Sequence, residues 1–194
     1  MSIYLLKTKF QNLLRPLVRL IYLSKITPNM LTVFTCLLSV VVAVMVYLLG
    51  GKFYIMIPVF MFIRMALNAM DGMLAKEYNM ITPLGAILNE MTDVISDGVL
   101  YLSFMFFSNI NPTILVIVVL VALLTEYAGL CALCVGSKRR FDGPMGKSDR
   151  AFAFGLLGLL IFLGNTAYLN HILLLILGLS LITVLVRLKR ALNR

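Results

Sequence analysis

The stretch NAMDGMLAKEYNMITPLGAILNEMTDVISD, residues 68–97, puts Asp71, Glu90, Asp93 and Asp97 inside or beside segments apolar enough for a membrane, and these are four of the chain's eight acidic residues. Arg64, Asn68 and Asp71 are spaced four and three apart and so share one helical face. On the next helix Asn89, Asp93 and Asp97 recur every four residues, with Glu90 one position round. Two polar stripes are thus expected to face each other across a short loop. With a rise of 1.5 Å per residue, Asp71 lies about 28 Å along its helix from Lys52, and Asn89 and Asp93 lie roughly 6 and 12 Å beyond Gly85. The groups are expected to meet near one membrane surface.

The rest of the chain supplies the membrane. Its 194 residues are 61% apolar, lack Trp and lie outside the soluble globular range. Windows long enough to cross a hydrocarbon core fall near residues 30–50, 53–71, 85–108, 112–136, 150–164 and 169–187. The predicted fold is all-α and integral to the membrane, with six transmembrane helices preceded by an N-terminal interfacial amphipathic helix. Residues 3–25 form the juxtamembrane helix and residues 27–187 the six-helix bundle of a single domain, 1–194. In the first helix Leu6, Phe10, Leu13 and Leu17 share one face, and Lys7, Gln11, Arg15 and Arg19 another, which suits anionic lipid; Pro16 is expected to bend it. A plain basic flank to the first span is the alternative.

Positive charge sets the orientation. Lys and Arg cluster before the first span, at Lys76, at 138–150 and at the end of the chain, and only Lys52 falls on the other side. Both termini and the acidic stripes are therefore expected on the cytoplasmic face. The +9 balance is explained by topology, which leaves no role for nucleic acid. Charges interrupt the first apolar run too often for a cleavable signal peptide. Cys131 and Cys134 form a CxxC in apolar surroundings with no second ligand pair, and so read as packing. Arg64 is expected to neutralise a neighbouring acid, Glu126 being one candidate.

Buried carboxylates repel one another unless protons or a cation intervene. Hard oxygen donors suit Mg²⁺, Mn²⁺ or Ca²⁺ and not zinc, and a divalent cation that also holds a phosphate is the economical solution.

The spacing of NAMDGMLAK and GAILNEMTD resembles the signature of the CDP-alcohol phosphotransferase (CDP-alcohol phosphatidyltransferase) family, DxxDGxxAR, eight residues, GxxxDxxxD. Every interval matches; Asp71, Gly72, Ala75, Gly85 and Asp93 agree, while Asn68, Lys76 and Asn89 replace Asp, Arg and Asp. TPNMLT at 27–32 is similar to the family's TPNxxT. The resemblance implies an enzyme of phospholipid biosynthesis that moves a phosphatidyl group from CDP-diacylglycerol to the hydroxyl of a small alcohol and releases CMP. It implies Asp93 as general base and Asn68, Asp71 and Asn89 at the positions that hold one or two Mg²⁺ or Mn²⁺ ions, with Glu90 or Asp97 compensating for the two missing carboxylates. Asn29, Thr32, Gly72, Ala75, Lys76 and Gly85 are placed on the nucleotide, where Lys76 keeps the charge of Arg without its bidentate grip. Lys147 and Arg150 are candidates for a phosphate-bearing acceptor, against the alternative that they are ordinary positive-inside residues. A homodimer is implied as well, and the small size and lack of a targeting segment lead us to expect a bacterial inner membrane.

Two other functions compete. A relative that lost its chemistry would bind CDP-lipid or nucleotide in a regulatory role. A small cation-coupled transporter would place these groups near the midplane and repeat the motif in its second half, and no such repeat is present.

Overall fold

The computed structural model describes the backbone of residues 3–193 and the side chains of residues 10–193. Among these are seven α-helices and no strand: α1 Ile3–Leu23, α2 Pro28–Leu49, α3 Met56–Glu77, α4 Pro83–Leu102, α5 Pro112–Cys134, α6 Lys147–Phe162 and α7 Leu169–Leu192. Short 3-10 turns occupy Gly51–Ile55 and Ser103–Phe106.

Local chemistry explains the boundaries. Thr27, Thr82 and Asn111 each precede a proline that opens a helix, where the missing N–H costs nothing and the fixed φ is already helical. Each caps the turn behind it. Thr27 Oγ1 accepts from the Met30 amide at 3.3 Å, Thr82 Oγ1 from Gly85 at 3.0 Å, and Asn111 Oδ1 from Thr113 and Ile114 at 3.0 and 3.2 Å. Helix α3 ends where Asn79 turns to φ 55°, a left-handed seat that Asn tolerates. The tight turn before α3 needs positive φ at both Gly50 and Gly51.

Four helical stretches are long and apolar enough to cross a membrane: Pro28–Leu49, Gly51–Glu77, Pro112–Cys134 and Leu169–Leu192. The sequence led us to expect six spans. Helix α4 carries Glu90, Asp93 and Asp97, and α6 has only 16 residues, so neither meets the same standard of length and apolarity.

The chain divides into two units. The first comprises Met1–Val40 and Phe62–Ser96. Its core joins Leu14 and Val18 of α1 to Leu31 of α2 and Met70, Met73 and Leu74 of α3, with Phe10 and Ile21 partly buried alongside. Leu13 and Leu17, on the apolar face read from the sequence, are 72% and 48% exposed, and the stripe packed against the protein lies one residue further on. The assignments of Leu6 and Lys7 lie outside the described side chains. Helix α1 runs through Pro16 without interruption. It is tied to α3 by an Arg15–Glu77 ion pair at 3.1 Å and by Tyr22 stacked on Tyr78 at 3.9 Å.

The second unit comprises Val41–Met61 and Asp97–Arg194. Its centre is Glu126 on α5, which meets Arg150 of α6 at 2.7 Å, Arg139 of the 137–146 segment at 3.1 Å and Arg187 of α7 at 3.4 Å. Arg64, the partner considered from sequence, pairs elsewhere. The 137–146 segment is seated on α5 and α7: the Arg140 amide donates to Gly129 O at 3.1 Å and the Met145 amide to Thr183 Oγ1 at 2.9 Å. The approach is so close that a methyl at Gly129 would come within 2.5 Å of the Arg140 carbonyl oxygen. Stacking of Tyr101 on Phe154, ring centres 3.8 Å apart, adds α4 to α6 within this unit.

Removing Glu126 takes the nearest carboxylate from two arginines that are each 1% exposed. Breaking a buried pair in this way costs about 3–5 kcal/mol. Glu126→Ala is expected to lower the thermal midpoint in detergent sharply, and an unchanged midpoint would refute this account of the second unit.

Candidate active site

The cavity that matters lies wholly in the first unit. It has a volume of about 310 Å³ and opens between the capped starts of α2 and α4 and the last turns of α3. Helix α2 contributes Asn29 and Thr32, and α4 contributes Gly85 and Asn89. Helix α3 contributes Asn68, Asp71, Gly72, Ala75 and Lys76, the face that the spacing predicts. Met80, Ile81 and Thr82, from the connection between α3 and α4, complete much of the wall; nothing in their spacing marked them.

Asp71 is 6% exposed. Its Oδ2 accepts from Thr32 Oγ1 at 2.9 Å, and the same hydroxyl lies 2.9 Å from Pro28 O, so its one proton is shared between two acceptors. Asn29 is placed by its neighbour. Its Oδ1 lies where a methyl on Gly85 would approach to 2.7 Å, so the bare glycine lets Asn29 reach the cavity wall. Gly72 differs, because a methyl there would meet nothing within 4 Å and would project into open space.

Asp93 stands one turn beyond Asn89 on α4, outside the immediate lining. Asn68 links it to the cavity: Asn68 Nδ2 donates to Asp93 Oδ1 at 3.1 Å. Arg64, 3% exposed, reaches the same Oδ1 at 3.4 Å and the Asp93 carbonyl oxygen at 3.2 Å. The spacing puts Arg64 on the Asn68–Asp71 face, where it is expected to neutralise an acid, and that acid is Asp93.

Glu90 and Asp97 do not line this cavity. Asp97 belongs to the second unit, where its Oδ2 lies 3.6 Å from Arg150. Arg150 also donates to Thr125 Oγ1 at 2.6 Å, Met145 O at 3.1 Å and Glu126, so both of its terminal nitrogens are engaged. Lys147 opens α6 and is half-buried.

The oxygens gathered here are hard donors: the Asp71 carboxylate, the Thr32 hydroxyl and the amide carbonyls of Asn68 and Asn89. Among the described residues no three His, Cys, Asp or Glu side chains cluster as a ready metal site. That follows from the two asparagines, which keep an oxygen at each position and remove its charge. The set fits Mg²⁺ or Mn²⁺, which bind through one or two carboxylates supplemented by neutral oxygens.

The family model described as CDP-alcohol phosphatidyltransferase matches residues 25–186. Inner membrane protein YnbA of Escherichia coli (strain K12) is 44% identical over 162 residues, spanning 83% of this chain and 81% of that protein. Among solved structures, Mycobacterium tuberculosis phosphatidylinositol phosphate synthase (PgsA1) with manganese and citrate superimposes with a TM-score of 0.79 at 19% identity, covering 91% of this chain and 88% of that one. The same enzyme with CDP-DAG bound gives 0.76 at 18% identity, covering 91% and 92%.

Gly72 supplies a test in which stability and binding move oppositely. Replacing a helix-interior glycine by alanine is worth about 0.5–1 kcal/mol. Gly72→Ala is expected to raise the thermal midpoint while weakening the binding of a cytidine nucleotide such as CMP, because its methyl enters the cavity. Nucleotide binding unchanged from wild type would remove Gly72 from the site.

Proposed function

Because the chain belongs to the CDP-alcohol phosphatidyltransferase family, we propose that it transfers a phosphatidyl group from CDP-diacylglycerol to the hydroxyl of a small alcohol, releasing CMP. The observation that carries this reading is the convergence of Asn68, Asp71 and Asn89 on one cavity wall, with Asp93 hydrogen-bonded to Asn68 behind it.

In this reading Asp93 takes the proton of the acceptor hydroxyl. The freed oxygen forms a bond to the lipid-side phosphorus as the bond from that phosphorus to the CMP oxygen breaks. Arg64 and Asn68 fix the direction of the Asp93 carboxylate, which matters because a misplaced base loses much of its effect. Gly72, Ala75 and Gly85 leave room for the nucleotide against the backbone, Asn29 and Thr32 line its other side, and Lys76 brings a positive charge to the opening. Asp71, with the amide oxygens of Asn68 and Asn89, would hold Mg²⁺ or Mn²⁺, which when bound neutralises charge on the pyrophosphate and on departing CMP. Glu90 and Asp97 are secondary candidates for this coordination. Lys147 and Arg150 are assigned to the acceptor; Arg150, already engaged with Glu126, would contribute a fixed charge more than a new hydrogen bond.

We place α2 to α7 across the membrane as six spans of one domain, with α1 in the interface and both termini and the site on the cytoplasmic face of a bacterial inner membrane. The E. coli relative, inner membrane protein YnbA, supports that location. Pairing as a homodimer belongs to the same proposal. A second reading, a binding or regulatory protein without turnover, is favoured by one observation, the loss of two carboxylates from the donor set.

CMP release separates the two. Purified protein in vesicles with CDP-diacylglycerol, Mg²⁺ or Mn²⁺ and a panel of small alcohols is expected to release CMP, and Asp93→Asn to reduce the rate by about a hundredfold or more. Retained CDP-lipid binding with no metal-dependent release for any acceptor would establish the regulatory reading instead.

A further inference from the structure

We infer that Arg64 is a positioning residue whose fixed charge stands in for a second cation, so that the site takes one divalent ion per chain. The inference rests on the transferase reading above and deepens it.

Arg64, Asn68 and Asp71 lie on one face of α3, and two of the three act on the same carboxylate. Arg64 Nη2 lies 3.4 Å from Asp93 Oδ1 and 3.2 Å from the Asp93 carbonyl oxygen, while Asn68 Nδ2 lies 3.1 Å from that Oδ1. Helix α3 therefore grips Asp93 through its side chain and its backbone together, and both side-chain donors converge on one oxygen.

The character of these donors determines what else fits. Toward Asp93, Asn68 presents its N–H and not its oxygen, so that side of the wall offers a hydrogen-bond donor where a metal would need a ligand. A cation placed against Asp93 would also meet a guanidinium that is 3% exposed and held by two contacts to the same residue. Like charges at such range disfavour one another strongly away from water. Asp71 lies beside the Thr32 hydroxyl in a cavity that the amide side chains of Asn68 and Asn89 also line. Counting Arg64, Asn68, Asp71, Lys76, Asn89 and Asp93, the side chains carry no net charge. One divalent ion leaves this set with two positive charges for the substrate's phosphates, whereas two would leave it with four.

Arg64 and Asn68 thus act as a pair. The amide removes the repulsion that a carboxylate would feel from Asp93, and the guanidinium supplies the counter-charge that a second ion would have brought. Separating them should reopen the second position.

The test is the number of Mn²⁺ ions bound by the full chain in detergent without substrate, counted by calorimetry and by the electron paramagnetic resonance of free Mn²⁺. One ion per chain is expected for wild type and for Arg64→Lys. The double variant Arg64→Met with Asn68→Asp is expected to bind two. Two ions in wild type would overturn the inference, as would a double variant that melts like wild type and still binds one. If the double variant does not fold, the wild-type count decides alone. No bound Mn²⁺ in wild type would remove the metal from the transferase reading itself, a separate failure. In turnover, Arg64→Met is expected to lower kcat by about a hundredfold with KM for CDP-diacylglycerol within about twofold, and Arg64→Lys to restore most of it. A change confined to KM would mean that Arg64 does not position Asp93.

Discussion

Taking a carboxylate out of water is costly unless a counter-charge or several donors meet it at short range. In each unit that requirement fixes which helices come together. Glu126 draws α6, α7 and the 137–146 segment onto α5 through three arginines. Asp93 is caught by Arg64 and Asn68, which ties α4 to α3 beside the cavity. Apolar packing fills the remaining space, but Leu and Val pack almost as well against lipid as against protein and so give little direction. The charged pairs supply the direction.

The two networks differ in what they leave over. Around Glu126 the arginines are consumed by protein partners: Arg150 reaches Thr125 and Met145 as well as the acid, and Arg187 reaches the Asp142 carbonyl oxygen at 3.0 Å. Around Asp71 the wall is concave and lined by Thr32, Asn68, Gly72, Ala75 and Asn89, with Lys76 among them. One network closes a structure, and the other keeps a place in it. Gly72 and Gly85 fit this difference, since one opens onto empty space and the other is pressed against Asn29.

Much of the site was legible in the sequence because spacing on a helix is a geometric statement. Residues 68, 71, 72, 75 and 76 had to share a face, and TPNMLT at 27–32 matched the family's pattern where α2 begins. Pairings between distant elements were not legible: no pattern in one sequence joins Arg64 to Asp93 in place of Glu126. The side of α1 that packs on the protein is not legible for a related reason. Its apolar positions form two adjacent stripes, Leu13 with Leu17 and Leu14 with Val18, and periodicity alone cannot say which meets protein when the alternative is lipid. The acids that betrayed the site also disqualify α4 as a simple apolar span, so the feature that revealed function obscured topology.

Gly129 shows how local and global preference can conflict in such a chain. For α5 by itself a glycine is a poor choice, and alanine would favour the helix. Yet the Arg140 carbonyl oxygen occupies the space that the alanine methyl would need. The segment bearing Arg139 can settle onto α5 only because that helix is locally less well formed than it might have been. At this joint the sequence is frustrated at short range so that it can be satisfied at long range, and a chain optimised helix by helix would lose the contact.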